Sequence, residues 1–286
     1  MTGEHDVVLL CDALGVSRSG YYRWLTAKPS ARAKRDAELS DQIVELHRRS
    51  RRNYGAPRIL KDLRDAGVRT SEKRCARLMK QRGIQGKKKH RRRPRTTDSR
   101  HGQPVTANLL ALVDRPTAPN QVWVTDITYL ETGEGWLYVA AILDVFSRRI
   151  VGWACAPTLA ATLVLAAWRD ATRRRTPSPG LLHHSDRGSQ YVDGEYLREL
   201  ERQGIARSMS RAGNCYDNAK MESFWSTLKT ETGLDTIVPA TRRDAELAVF
   251  DYIETFYNPT RRHSSLGYLS PVAFEKQYEL KDTKAA

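Results

Sequence analysis

Three acidic residues stand in settings where acids are expensive or unexpected. Asp126 sits in the middle of the apolar run Val122-Trp-Val-Thr-Asp-Ile-Thr-Tyr-Leu130. A carboxylate there is costly unless a hydrogen bond or a positive charge compensates it. Asp186 closes the short strand Leu181-Leu-His-His-Ser, with Gly188 just beyond to let the backbone turn. Glu222 flanks an apolar stripe formed by Met221, Phe224, Trp225 and Leu228. Alone, each has an ordinary reading: a hydrogen-bonded buried acid, a turn residue and a surface glutamate. Together they make a set of oxygen ligands that suits magnesium or manganese. Two such ions, about 4 Å apart, clamp the attacking and leaving oxygens of an in-line phosphoryl displacement. Lys229 follows Glu222 by two helical turns on the same face, where a cation would meet a phosphate. Asn218, one turn before Glu222, shares that face and is placed to orient it or to touch DNA.

The intervals separating these acids are long, with 59 residues between Asp126 and Asp186 and 35 between Asp186 and Glu222. A tertiary fold must therefore unite them. Val122–Leu130 is apolar on both faces, as in a central strand covered on each side. Trp136–Phe146 and Ile150–Ala156 read as two further strands, then Leu159–Arg174 as a helix rich in Ala and Leu. Residues 150–168 are uncharged, but Pro157 and the change from β-branched to Ala/Leu-rich sequence argue for strand, turn and helix rather than a membrane span. Leu181–Asp186 and Ile205–Met209 are short strands around a helix, Tyr191–Gln203. Asn214–Thr232 reads as a long helix, and Thr241–Tyr257 as a last amphipathic helix stopped by Asn258-Pro259. The expected class is α/β, a mixed five-stranded sheet flanked by helices. Asp144, in the second strand, is read as structural. His183 and His184 are read either as strand-end packing or as partners of a ligating carboxylate. Arg261, Arg262 and His263, after the Asn-Pro turn, are candidates for following phosphate.

Charge divides the chain. Of a net +15 over 286 residues, the first hundred carry +16 and the remainder −1. A basic segment joined to a neutral one points to a polyanion, and DNA is the common large one. Pro57 stands in the first turn of a helix that runs to Asp65, Ala66-Gly67 stops it, and Ser71 caps the next. Two short helices about a glycine turn, with Arg and Lys on the second, form a small all-α helix-turn-helix-like region. Leu14–Leu25 forms a further helical hairpin. Arg58 and the run Lys87, Lys88, Lys89, Arg91, Arg92 and Arg93 are the expected DNA contacts outside the acidic site. The reading is a basic DNA-binding region over 1–95, a linker over 96–119 and a catalytic core over 120–280. Cys11, Cys75, Cys155 and Cys215 are scattered without a CxxC pair, so neither zinc nor a redox pair is expected. The N-terminus, with Glu4, Asp6 and a four-residue apolar run, is not a signal peptide, and a reducing cytoplasm with no membrane partner is expected.

At these residues the chain resembles the DDE transposases of bacterial insertion sequences, in the retroviral integrase superfamily. It is similar to the second-frame product of elements whose transposase is made from two overlapping reading frames. The resemblance is carried by LGVSRSGYYRW (14–24), YGAPRI (54–59), NQVWVTDITYL (120–130), HSDRGSQY (184–191), AGNCYDNAKMESFWSTLK (212–229) and YNPTRRHSSLGYLSPVAFE (257–275). It implies a ribonuclease-H-like core and a catalytic, metal-holding triad of Asp126, Asp186 and Glu222, with Lys229 as the associated basic residue. It also implies two magnesium or manganese ions, strand cleavage by water at element ends, and attack of the freed 3′-hydroxyl on another phosphodiester. The partners so implied are terminal-repeat and target DNA, further copies of the chain on that DNA, and the first-frame product as a separate chain or a frameshift fusion. The protein would work at the bacterial nucleoid. The viral His/His/Cys/Cys zinc module has no counterpart in the sequence. Two other functions are weighed against transposition: a nuclease of the same fold that only hydrolyses, and a non-catalytic helix-turn-helix regulator. The intact acidic set argues against the regulator, and the basic first third argues for binding of DNA ends.

Overall fold

A computed structural model describes residues 6–88, 106–211 and 218–285. They fall into two compact units, Met1–Gly86 and Lys87–Ala286. Lys89, Arg91, Arg92, Arg93, residues 96–105 of the expected linker and the first residues of the helix expected from Asn214 lie outside the described residues.

The first unit is all α: α1 (Val7–Ala13), α2 (Arg18–Leu25), α3 (Ala31–Arg49), α4 (Ala56–Asp65) and α5 (Glu72–Gln81). Local chemistry sets the α4–α5 hairpin. Pro57 stands in the first turn of α4, Gly67 takes φ +79° just past its end, and the Val68 N–H closes back on the Leu63 carbonyl at 2.8 Å. Ser71 Oγ then accepts the Arg74 N–H and starts α5. The helices bury Ile43, Ile59, Leu63, Cys75, Leu78 and Met79. Arg74 and Arg77 both bond Asp36 of α3 at 2.7 Å, so part of the basic face of α5 serves the packing of the unit.

In the second unit β1 (Val122–Thr132) turns through Gly133-Glu134 into antiparallel β2 (Gly135–Asp144), which pairs with β3 (Ile150–Ala156). Short strands β4 (Leu182–Ser185) and β5 (Ala206–Met209) add in parallel on the other edge, giving the order β3-β2-β1-β4-β5. This is the expected mixed five-stranded, ribonuclease-H-like sheet. Asp144 is fully buried and structural: it accepts the N–H of Asn120 (2.7 Å) and of Ser147 (2.9 Å), holding the β2–β3 turn. Helix α6 (Ala161–Arg174) lies close on β3. A Cβ at Gly152 would stand 2.5 Å from the Ala167 carbonyl oxygen, so only glycine permits this approach. Trp123 and Trp168 meet edge to face at 5.6 Å in the core beneath α6, with Leu163, Leu200 and Met209 around them. Helix α7 (Gly194–Arg202) leads to β5, and α8 (Ala219–Thr232) packs on β1.

Two expectations for the C-terminal part need correction. The helix expected over Thr241–Tyr257 is α-helical only as α9 (Arg242–Phe250); Asp251–Tyr257 is wound as a π-helix, with the Asn258 N–H bonded to the Ile253 carbonyl. Periodicity alone does not reveal a widened turn. Nor is it the last helix. Pro271 starts α10 (Pro271–Ala285), whose apolar residues make no helical stripe and so leave no periodic signal. Phe274 and Tyr278 of α10 pack on Phe146 at 5.1 and 5.2 Å, and the buried Glu275 holds Arg149 and Arg175. No helix among the described residues is long and apolar enough to cross a membrane.

Candidate active site

Strand register places two of the acids. Val124 of β1 lies opposite His184 of the parallel strand β4, so Asp126 and Asp186 stand two residues further along neighbouring strands. Asp126 remains within β1, while Asp186 lies just past the end of β4, where its Oδ1 accepts the Gly188 N–H at 2.9 Å in a tight turn. Glu222 occupies the exposed first turn of α8. The three acids share one electrostatic neighbourhood. The Asp126 carboxyl is pushed up to about 8, first by burial, then by Asp186, with a smaller contribution from Glu222. The Ile127 N–H and the Trp225 indole oppose that shift. Crowded carboxyl groups of this kind mark a site where a cation would relieve repulsion. The donor set, oxygen only, fits a hard divalent ion. Among the described residues, no three His, Cys, Asp or Glu side chains stand close enough as they are to hold an ion.

Helix α8 is fastened to β1 along one face. Asn218, buried at the start of α8, donates to the Thr125 carbonyl at 3.3 Å, and its Oδ1 is buried without a partner. Trp225 donates its indole N–H to Asp126 Oδ2 at 3.1 Å. Lys229, half-buried, donates to the Tyr129 carbonyl at 2.9 Å and lies 5.2 Å from the Tyr129 ring centre. Burial lowers the Lys229 pKa, while Asp126 and Asp235 raise it.

Other residues singled out in the sequence take different places. His183 bonds the Tyr196 hydroxyl at 2.6 Å, and His184 bonds Ser208 and Ser210 at 2.9 and 3.0 Å; both rings are buried in the sheet. Arg261 is no phosphate-tracking surface group. It is buried and pairs with Glu231 of α8 through two bonds, because a charge taken out of water needs a partner. Arg262 is half-buried and donates to the Tyr268 carbonyl. In the first unit Arg58 stacks its guanidinium 5.5 Å from the Tyr54 ring centre. Lys87 and Lys88 are exposed, and Lys87 donates to the Glu231 carbonyl. Sequence reasoning assigns Trp225 to the apolar stripe and misses its bond to Asp126. The available signal is its position, three residues after Glu222 on the same helix.

Comparison with known proteins defines first a class. Residues 116–215 and again 203–271 match the integrase core domain, and residues 34–93 match an HTH-like domain. The chain is 46% identical over 94% of its length to the "Insertion element IS600 uncharacterized 31 kDa protein" of Shigella sonnei, covering 98% of that protein. It is 38% identical to the "Transposase InsF for insertion sequence IS3A" of Escherichia coli, over 96% of this chain and 95% of that one. Identity is 42% to the "Transposase for insertion sequence element IS904" of Lactococcus lactis, over 87% and 98% of the two chains. Among solved structures, the BIV integrase catalytic core is similar with a TM-score of 0.41 at 19% identity, over 58% of this chain and 99% of that one. The HTLV-2 integrase catalytic core in complex with magnesium has a TM-score of 0.42 at 14% identity, over 56% and 98%. The chain belongs to the IS3 family of insertion-sequence transposases. The resemblance drawn from the sequence motifs is thereby confirmed, and the protein's function is that of a DNA transposase, a polynucleotidyl transferase.

Proposed function

We propose that Asp126, Asp186 and Glu222 are the catalytic, metal-holding acids of a DDE transposase that cuts insertion-sequence ends and joins them to new DNA. The observation that carries this reading is geometric: the parallel register of β1 and β4 brings Asp126 and Asp186, with 59 residues between them in the chain, to matching positions of neighbouring strands, and Trp225 of the helix that carries Glu222 bonds Asp126. Carboxyl groups held in one neighbourhood repel one another, and a bound cation removes that repulsion. Magnesium or manganese, when bound by these carboxylates, supplies positive charge to the reacting phosphate and its oxygens. The protein's own part is positional. Neighbouring strands β1 and β4 hold two acids side by side, and α8 brings the third. In the first reaction the oxygen of water bonds to phosphorus, and the 3′-oxygen leaves and takes up a proton. In the second the oxygen of that 3′-hydroxyl gives up its proton and bonds to the phosphorus of another phosphodiester, whose bond to its own 3′-oxygen breaks; that oxygen leaves and takes up a proton, and no protein–DNA bond is formed in either step.

In this reading residues 1–95 bind terminal-repeat DNA, 96–119 link, and 120–280 catalyse. Arg58, Lys87, Lys88, Lys89, Arg91, Arg92 and Arg93 contact phosphates, as do Lys229 and Asn218, each of which has an N–H left beside the one it gives to β1. Several copies act together on paired ends in the bacterial cytoplasm, with the first-frame product joined to this chain or beside it. The test is incubation with labelled element-end DNA, with and without magnesium, alone and with the first-frame product. Joined products are expected with magnesium only, and D126N, D186N and E222Q are expected to reduce them to background while binding DNA as the wild type does. Nicks without joined products would make the protein a hydrolytic nuclease. No cleavage by the wild type under any of these conditions would favour a DNA-binding regulator.

A further inference from the structure

Asn218, Trp225 and Lys229 are spaced seven and four residues apart on α8, which at 3.6 residues per turn puts them on one face. All three spend a donor on β1: Asn218 on the Thr125 carbonyl, Trp225 on the Asp126 side chain and Lys229 on the Tyr129 carbonyl. Glu222 lies between the first two, on the same side of the helix. The rotation of α8, and with it the direction in which Glu222 leaves the helix, is therefore set by contacts to the strand that carries Asp126. Of the three contacts only that of Trp225 reaches an acid of the site. Its ring is buried against Phe224, with centroids 4.8 Å apart, so the indole N–H is aimed by packing. A buried donor on a carboxylate fixes that carboxylate's orientation, as outer partners of metal ligands do.

We infer that Trp225 is a positioning residue: its indole N–H holds Asp126 Oδ2, and thereby sets the Asp126 carboxylate against Glu222 one turn earlier on the same helix. Its function is to hold the two acids in the relative setting that a divalent ion requires. The inference rests on the assignment of Asp126 and Glu222 as metal-holding acids. A phenylalanine at this position would pack almost as well and lack only the N–H, which separates this role from simple core packing.

The experiment uses the full chain and manganese as the probe, with bound ion read by electron paramagnetic resonance and not by turnover. W225F is expected to weaken manganese binding about 10-fold or more, the loss typical of outer partners of metal ligands. Its melting temperature should stay within a few degrees of the wild type and its affinity for element-end DNA within about two-fold. In the D126N background the same change should add nothing further. Should W225F lose its fold, 3-benzothienylalanine at position 225, which replaces the N–H by sulfur at nearly constant shape, carries the test. Manganese binding equal to the wild type in either substituted protein overturns the inference, as does an equal loss on the D126N background. Failure of the wild type to bind manganese, or undiminished binding by D126N, would instead overturn the assignment of the acids.

Discussion

Glu231 and Arg261 form an ion pair sealed from solvent, the two side chains only 7% and 6% exposed, with guanidinium bonds of 2.6 and 2.8 Å to the two carboxylate oxygens. Tyr252 adds its hydroxyl to Glu231 at 2.9 Å, and Arg261 lies over the Tyr257 ring. The pair ties the last turn of α8 to the Tyr-Asn-Pro-Thr-Arg-Arg-His segment, and so anchors the helix that carries Glu222. Removing one partner leaves the other charge buried. R261A is expected to lose about 3–5 kcal/mol of stability in urea unfolding. R261K, which keeps the charge but not the two-pronged geometry, should fall in between. An R261A protein within about 1 kcal/mol of the wild type would show that water reaches Glu231 freely.

His183 makes the fold sensitive to acid. Burial, and secondarily His184, pushes its pKa from the ordinary 6.5 down to about 3. The unfolded chain therefore takes up a proton that the folded chain refuses in the interval from about 6.5 to 3. Stability is unaffected above this interval and falls through it as pH drops, by about 1.4 kcal/mol per unit for this one group. Unfolding free energies measured at pH 7, 6 and 5 should decline less steeply in H183Q than in the wild type, by close to one proton. Parallel slopes would count against the burial of a neutral imidazole.

Gly152 allows α6 to lie on β3. G152A would drive a methyl group to 2.5 Å from the Ala167 carbonyl oxygen and the Ala171 nitrogen, both backbone atoms of the helix. The helix must shift, at a cost of about 1–3 kcal/mol. Thermal unfolding should show a melting temperature lower by several degrees. An unchanged melting temperature would mean that the approach of α6 is looser than described.

The basic run gives a prediction about DNA. Changing Lys87, Lys88, Lys89, Arg91, Arg92 and Arg93 to glutamine should weaken binding of element ends and of unrelated DNA alike. It should also flatten the dependence of log affinity on log salt, by about 0.9 for each phosphate that is no longer neutralised. Titrations at several salt concentrations check both. Weakening confined to element-end DNA would mean that these residues read bases.

How much is legible in the sequence depends on whether the signal is local. Asp126 announces itself by interrupting an apolar strand, Asp186 by ending a short strand beside a glycine, and the α4–α5 hairpin by Pro57, Gly67 and Ser71. These are nearest-neighbour features of chain chemistry, and the motifs around them suffice to mark the chain as a transposase. Periodicity and punctuation likewise suffice for five strands and their order of appearance. Helix α10 is not legible because its apolar residues make no stripe, and the π-helical winding at Asp251–Tyr257 is not legible because its buried Tyr252, Ile253, Phe256 and Tyr257 repeat as they would in an ordinary α-helix. Only the tertiary structure decides what meets what. Parallel pairing of β4 with β1 sets Asp186 beside Asp126, and the docking of α8 makes Trp225 a donor to Asp126 as well as a core residue. The fold also buries Arg261 on Glu231 across 29 intervening residues. The physical reason is range: backbone propensity acts over a few residues, whereas desolvation forces each buried charge and donor to find a partner wherever the chain returns.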